Sequence, residues 1–504
     1  MNTHQEREIT MVKEIVDECL SRVCLKQSAG VSSIGDGNKA IDFHKPKELE
    51  KILETELQIT NEGLSNEEFV SMCRRFAAYS CQTHQPGFMP QLITGIDLYA
   101  LGASWLLDSL NASSYTYEVG PVFSIIQRRV IEQALDLFKI KRIEDAQNGD
   151  GVFCPGASLA NMYALMLACH RRFPTAKSQG LMGLPKVAIF TSDASHYSIE
   201  KGAIFLGFGL DSVIKVETNE MGIMLPDKLK EAIIEQKRLG RIPLMINATA
   251  GTTVLGSFDN LRDLFCCKEQ FKEDNIWLHC DAAYGASAIF GSETKHLLDG
   301  SEFVDSFTLD YHKVAGVLLQ CSLLITPYGN LLKRCVSTGA AYLFQSDKGY
   351  DVSYDSGDKS VQCSQKADAL KWWLVFKAKG YSTLEREINS LMALSKFTQL
   401  KIDSRPGFHL VLPSFQYFNI CFWYVPKWMR EKGALTHEKL GLLTRRVHIM
   451  MREEGKVMIN TMTHKGLQRY FRIVVTNHSL TQADIEKILD IISETAESIN
   501  PSDL

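Results

Sequence analysis

The chain has 504 residues, 45% of them hydrophobic and 23% charged, which is an ordinary globular composition but too long for one simple core, so two or three packed domains are expected. A formal net charge of −4 argues against a general nucleic-acid binder, because no basic excess is present to neutralise a phosphate backbone. The 13 cysteines are scattered without a C-x-x-C pair, and vicinal Cys266-Cys267 is poor metal geometry, so reduced thiols in a cytoplasmic protein are expected and a metal site is not.

Met1–Leu20 carries Glu6, Glu8, Glu14, Asp17 and Glu18 and no apolar stretch, so no signal peptide is expected there. No apolar run approaches the roughly 20 residues of a membrane span. Residues 1–120 read as a mainly helical segment. Glu8–Cys24 and Lys47–Leu57 show apolar residues at helical spacing, and the Gly/Ser-containing break Ser28–Asn38 between them is a candidate mobile loop. Residues 121–380 change character. Short apolar, β-branched runs at Val187–Ser192, Val213–Val216, Leu244–Ala248, Trp277–Asp281, Ser306–Leu309 and Leu323–Thr326 alternate with helical patterns such as Pro226–Leu239 and Asp259–Phe271. Strand–helix alternation with almost continuously apolar strands predicts an α/β domain with a mostly parallel sheet covered on both faces. Residues 381–504 read as a smaller α+β domain: a long helix at Thr383–Ile402, strands at Gly407–Leu412, Phe418–Tyr424 and Tyr470–Thr476, and a last helix after Thr481.

Four short stretches carry candidate chemistry. In His279-Cys280-Asp281-Ala282-Ala283 a carboxylate ends a buried strand, where open α/β sheets place ligands, although an Asp there is also a common helix cap. Leu309-Asp310-Tyr311-His312-Lys313 brings a lysine to the end of a later strand. Such a lysine can form a Schiff base with an aldehyde cofactor, while an Asp opposite keeps a pyridine nitrogen protonated and the ring an electron sink. Cys154-Pro155-Gly156-Ala157-Ser158 precedes an apolar helix, so it is either a phosphate cradle of backbone N–H groups or a helix start capped by Ser158. Ser195-His196-Tyr197-Ser198 opens another helix with an imidazole that either stacks on a flat ring or is structural.

The whole set, in this order and spacing, resembles the pyridoxal-phosphate (PLP) dependent group II decarboxylases, and within them the animal branch of glutamate, cysteine-sulfinate and aspartate decarboxylases. The likeness runs from about Phe69 to the C-terminus. Its most specific stretches are Asn247–Thr253, the Asp281 and Lys313 motifs, and Tyr342-Leu343-Phe344-Gln345-Ser346-Asp347-Lys348, continued by Tyr350–Ser353 and Ser356–Lys359. The resemblance implies an aspartate-aminotransferase-like fold (fold type I) with a seven-stranded sheet, and a homodimer with its active site at the interface. By position it makes Lys313 the Schiff-base lysine, Asp281 the pyridinium partner, Ala283 the residue under the ring and His196 the residue stacked on it. It places Ala157, Ser158 and His312 on the phosphate and Thr249 beside the Asp281 carboxylate. Tyr342 becomes the proton donor to the substrate carbon, and Gln91 and Arg472 hold substrate carboxylates.

Two further positions speak to substrate. Where glutamate decarboxylases have a small polar residue and an Asn, and the cysteine-sulfinate type a Phe and a Ser, this chain has Ile93 and Ser113. That pattern implies cysteine sulfinate, aspartate or cysteate in preference to glutamate, with hypotaurine, β-alanine or taurine as product. The chain departs from the family pattern in several places. Asp310-Tyr311 stands for Asn-Pro, Tyr284 for Trp, Pro90 for Asn and Ala157 for Gly, and Asn460–Arg469 does not follow the usual loop. A carboxylate at Asp310 would repel a cofactor phosphate unless it turns away, is protonated, or meets a basic neighbour. Two alternatives follow: a catalytically weak paralogue acting as a binding or regulatory dimer, and an oxidative aldehyde synthase on the same fold, against which Tyr342 speaks.

Overall fold

The structure, a computed structural model, describes residues 3–23, 32–35, 37–141, 149–431, 436–500 and 502. Of the break Ser28–Asn38, residues 28–31 and 36 lie outside the described residues. The chain divides into a large unit, residues 92–392 with 414–419, and a small unit made of residues 1–91, 393–413 and 420–504.

In the large unit seven strands form one sheet: β1 (Asp150–Cys154), β2 (Val187–Ser192), β3 (Val213–Val216), β4 (Ile242–Thr249), β5 (Trp277–Ala282), β6 (Ser306–Asp310) and β7 (Ser322–Thr326), in the order β1-β7-β6-β5-β4-β2-β3. The pairs β2–β3, β2–β4, β4–β5 and β5–β6 are parallel. All residues of β2, β5, β6 and β7 are buried, which is why these segments read as unbroken apolar runs rather than alternating ones. The six runs expected as strands are strands. The seventh, β1, was hidden by its acidic and glycine start, and it closes the sheet edge antiparallel to β7. No long helix separates β6 from β7, so the chain returns antiparallel rather than crossing over.

Helix Ala157–Arg172 covers one face of the sheet, packing Ala164, Leu165 and Ala168 with Val152, Leu244 and Leu324 in one buried cluster. Helix Pro226–Arg238 starts with proline at its first turn and buries Leu229 and Ile233, one helical turn apart. The expected helix Thr383–Ile402 belongs to a longer run, Asp368–Ser404, broken at Gly380 (φ 64°).

The small unit holds helices Thr3–Val23, Asn66–Tyr79, His437–Glu454 and Gln482–Glu497, and strands β8 (Phe408–Leu410), β9 (Asn419–Tyr424), β10 (Asn460–Met462) and β11 (Tyr470–Val474) in the order β10-β11-β9-β8. The boundaries expected at 120 and 380 do not describe this grouping. The first 91 residues join the C-terminal region because their backbone is tied to it: Ala40 N donates to Gly455 O (2.8 Å), Met89 N to Met458 O (2.9 Å) and Ser33 N to Asp484 Oδ1 (2.9 Å).

Two loops at the carboxyl ends of β4 and β5 are stitched together. Ala250 N donates to Asp281 O (2.9 Å) and Gly285 N to Ala250 O (3.0 Å). The approach is so close that a Cβ on Gly285 would lie 2.3 Å from Ala250 O and 2.6 Å from Phe258 Cε1. Substituting Gly285→Ala is therefore expected to lower stability by at least about 2 kcal/mol in urea unfolding. A change within about 0.5 kcal/mol would contradict this placement.

Candidate active site

The parallel strands β2, β4, β5 and β6 deliver their last residues to one edge of the sheet, the edge where open α/β sheets bind ligands. Asp281 is 5% exposed and stands at the end of β5. Its Oδ2 accepts from Asn161 Nδ2 (2.8 Å) and its Oδ1 from Ala283 N (3.1 Å). Thr249 is in register beside it on β4. The expectation that Thr249 holds the carboxylate needs correction, because its Oγ1 is buried without a hydrogen-bond partner among the described residues. Asn161, projecting from the helix that covers the sheet, supplies that donor instead. Ala283 follows directly and is buried.

Lys313 and Asp310 arrive from β6, the neighbouring parallel strand. Lys313 Nζ lies 3.3 Å from Asp310 Oδ2, and His312 Nε2 lies 3.6 Å from the same oxygen. Asp310 also accepts from the Ser322 hydroxyl. Of the three fates open to this carboxylate in the sequence, the structure realises the basic neighbour. His312 Nδ1 lies 3.1 Å from Cys321 N and 3.2 Å from Cys321 O. Burial lowers the His312 pKa, opposed by the Asp310 charge. Tyr311, which replaces the family's proline, is buried and stacks on Trp372 with centroids 4.1 Å apart. Tyr284 Oη donates to Asn419 Oδ1 (2.8 Å), so both departures from the family pattern are absorbed in packing.

His196 precedes helix Ser198–Phe205, where Ser198 N donates to its Nδ1 (3.3 Å). Burial lowers its pKa, and the charges of Asp281, Lys313 and Asp310 all bear on it. Ala157 and Ser158 form the first turn of helix Ala157–Arg172. The residue that starts this helix is Gly156 (φ 98°), without a side-chain cap, so Ser158 is not the cap and the first N–H groups stay available for an anion.

The remaining residues from the sequence make contacts of their own. Tyr342 is 81% exposed, so a single chain does not close it over Lys313. The Ser113 hydroxyl donates to Gln365 O (3.2 Å) and accepts from Gln365 N (3.0 Å), while Ile93 is partly buried. Arg472 lies in β11 of the small unit, where its Nη2 donates to Pro90 O (3.0 Å), as does Asn460 Nδ2 (2.8 Å). Gln91 follows that carbonyl and is exposed.

Sequence reasoning missed Asn161 and gave His279 no role. His279 Nε2 lies 3.0 Å from Asn161 Oδ1, and its Nδ1 lies 2.8 Å from Ser306 Oγ and 3.2 Å from Ser306 O. Its complete burial pushes the pKa down to about 4, so the ring is neutral at pH 7. The usable signal was the spacing: a His two residues before an Asp on one strand points to the same face.

The donor set suits pyridoxal phosphate. An amine for the aldehyde, a carboxylate for the pyridine nitrogen, a flat neutral imidazole, a free helix N-terminus for the phosphate and an unpartnered buried hydroxyl at Thr249 are all at one sheet edge.

Residues 46–425 match the pyridoxal-dependent decarboxylase conserved domain. The chain is 40% identical over 464 residues to the cysteine sulfinic acid decarboxylase of Homo sapiens, covering 92% of each. It is 39% identical over 457 residues to the acidic amino acid decarboxylase GADL1 of Bos taurus, covering 90% of this chain and 85% of that one. The crystal structure of mouse CSAD superposes with a TM-score of 0.90 at 38% identity, over 97% of this chain and 99% of that one. With a family domain spanning most of its length and such relatives along nearly all of it, the chain belongs to the pyridoxal-dependent decarboxylases.

Proposed function

We propose that this PLP-dependent decarboxylase acts on a small acidic amino acid, taking cysteine sulfinate, aspartate or cysteate ahead of glutamate. The observation that carries the reading is that relatives about 40% identical along some nine tenths of the chain are a cysteine sulfinic acid decarboxylase and an acidic amino acid decarboxylase. Ile93 and Ser113, a bulky and a small residue, support the shorter acids.

When bound, the cofactor supplies an electron sink for the pair left behind by departing carbon dioxide. The protein's residues do the rest. Lys313 would hold the cofactor through its amine, and Asp310, 3.3 Å from Nζ, stands where a proton leaving that amine can go. Asp281 would hold the pyridine nitrogen, with both of its oxygens already oriented by N–H donors. His196 would stack on the ring, and Ala157, Ser158 and His312 would hold the phosphate. Gln91 and Arg472 would hold the acid groups of the substrate, and a guanidinium suits a carboxylate or sulfinate.

Tyr342 returns a proton to the substrate carbon, and it does so in a homodimer whose active sites lie at the interface. Support for the dimer comes from large apolar residues left exposed on a single chain: Leu98, Tyr99 and Leu110 on one helix and Ile204 and Phe205 on another. Tyr342 itself is too exposed to act within one chain. We assign the protein to the cytoplasm on its free thiols, among them the buried Cys154, Cys280 and Cys321.

Turnover followed by carbon dioxide and amine release is expected to be faster with cysteine sulfinate and aspartate than with glutamate. Activity confined to aromatic amino acids would overturn the substrate assignment. Tyr342→Phe is expected to keep cofactor binding but, with dissolved dioxygen as oxidant and water supplying the carbonyl oxygen, to divert product from amine to aldehyde, ammonia and hydrogen peroxide; unchanged amine yield would remove Tyr342 from the reaction. Asp310→Asn leaves the Lys313 ammonium without its buried counter-charge. Cofactor-free protein carrying it is expected to lose about 1–3 kcal/mol in urea unfolding, and an unaltered midpoint would show that the ion pair contributes nothing.

A further inference from the structure

Trp277, His279 and Asp281 alternate along β5 and so share one face of the sheet. Between them runs a buried chain of contacts. Trp277 Nε1 donates to Ser306 Oγ (2.8 Å), Ser306 Oγ lies 2.8 Å from His279 Nδ1, His279 Nε2 lies 3.0 Å from Asn161 Oδ1, and Asn161 Nδ2 reaches Asp281 Oδ2 at 2.8 Å. We propose that this chain is a one-directional hydrogen-bond relay in which Asn161 and His279 are positioning residues that aim the Asp281 carboxylate at the cofactor ring.

The direction is set from both ends. An indole N–H can only donate, so Ser306 Oγ accepts there and keeps its own proton for His279. At the other end both Asp281 oxygens face N–H donors, so Asn161 must turn its amide nitrogen toward Asp281 and its carbonyl toward His279. The second amide hydrogen goes to Ser198 Oγ (2.9 Å), and a flipped amide would set its oxygen against the acceptor-only Asp281 carboxylate. His279 Nε2 therefore carries the proton and Nδ1 is bare, which is the neutral form that burial favours. Asn161, His279 and Ser306 are each 0% exposed, so water cannot replace a missing member. A proton placed on Asp281 would find donors on both sides and no acceptor. The relay thus leaves the remaining lone pairs of Asp281 for a single N–H, that of a pyridinium. A hydrogen-bonded tie to the strand below also stops the carboxylate from rotating.

The inference rests on the assignment of Asp281 to the pyridine nitrogen, and the test separates the two. Purified enzyme is stripped of cofactor, and the affinity for added PLP, kcat and KM are measured for wild type, His279→Leu, His279→Gln, Asn161→Ala and Asp281→Ala. His279→Leu and Asn161→Ala are each expected to weaken PLP binding about tenfold and lower kcat about tenfold with KM little changed, the size of one hydrogen bond to a charged group. His279→Gln keeps an N–H toward Asn161 and is expected to restore most of both. The double variant is expected to be no worse than either single one, because both act through one carboxylate. A folded His279→Leu with wild-type affinity and kcat overturns the relay if Asp281→Ala loses both. If Asp281→Ala also binds PLP normally, the assignment of Asp281 itself falls. Should His279→Leu not fold, Trp277→Phe removes a single N–H at the far end and is expected to weaken PLP binding about threefold, with no change counting against the relay.

Discussion

A carboxylate buried at the end of a strand has to be satisfied by the protein around it, and in this chain the groups that satisfy Asp281 also organise its surroundings. One oxygen takes the backbone N–H of Ala283 and the other the amide of Asn161, which ties the end of β5 to the helix above the sheet. The same loop is pinned to the end of β4 through Ala250. Burying a charge without such partners would cost several kcal/mol. With them, Asp281 is a fixed acceptor at the sheet edge where β6 delivers Lys313.

The second buried carboxylate, Asp310, is the main point at which this chain differs from the pattern of its family. In the sequence it looked like a threat to an anionic cofactor. In the structure it is enclosed by Lys313, His312 and Ser322, so its charge is compensated where it sits. The adjoining substitution, Tyr311, is explained by packing, since a flat ring stacked on Trp372 fills the space behind the loop. Neither change disturbs the sheet. Both act on the immediate environment of Lys313.

Much of the large unit could be read from the sequence because its parallel strands are buried on both faces and therefore spell unbroken apolar runs. Lys313, Asp281 and His196 could be found because each ends a strand or opens a helix, positions where short motifs stand out from the core. What escaped were features without a local signature. β1 begins with Asp150-Gly151 and has no apolar run before it. The grouping of residues 1–91 with the C-terminal region depends on backbone pairs such as Ala40 with Gly455, hundreds of positions apart. Asn161 belongs to no motif that the sequence singled out, and only the fold shows it meeting Asp281 and His279. The family resemblance put Thr249 on the carboxylate, yet in the structure its hydroxyl has no partner among the described residues and Asn161 donates instead.

The account turns on Lys313 as the point of attachment for pyridoxal phosphate. Borohydride reduction of the cofactor-loaded protein followed by peptide mapping reads this out directly, since it fixes the cofactor to the amine it was joined to. The account predicts a pyridoxyl group on the peptide containing Lys313 and on no other lysine peptide. A label on a different lysine, or none at all in protein that has taken up the cofactor, would contradict it.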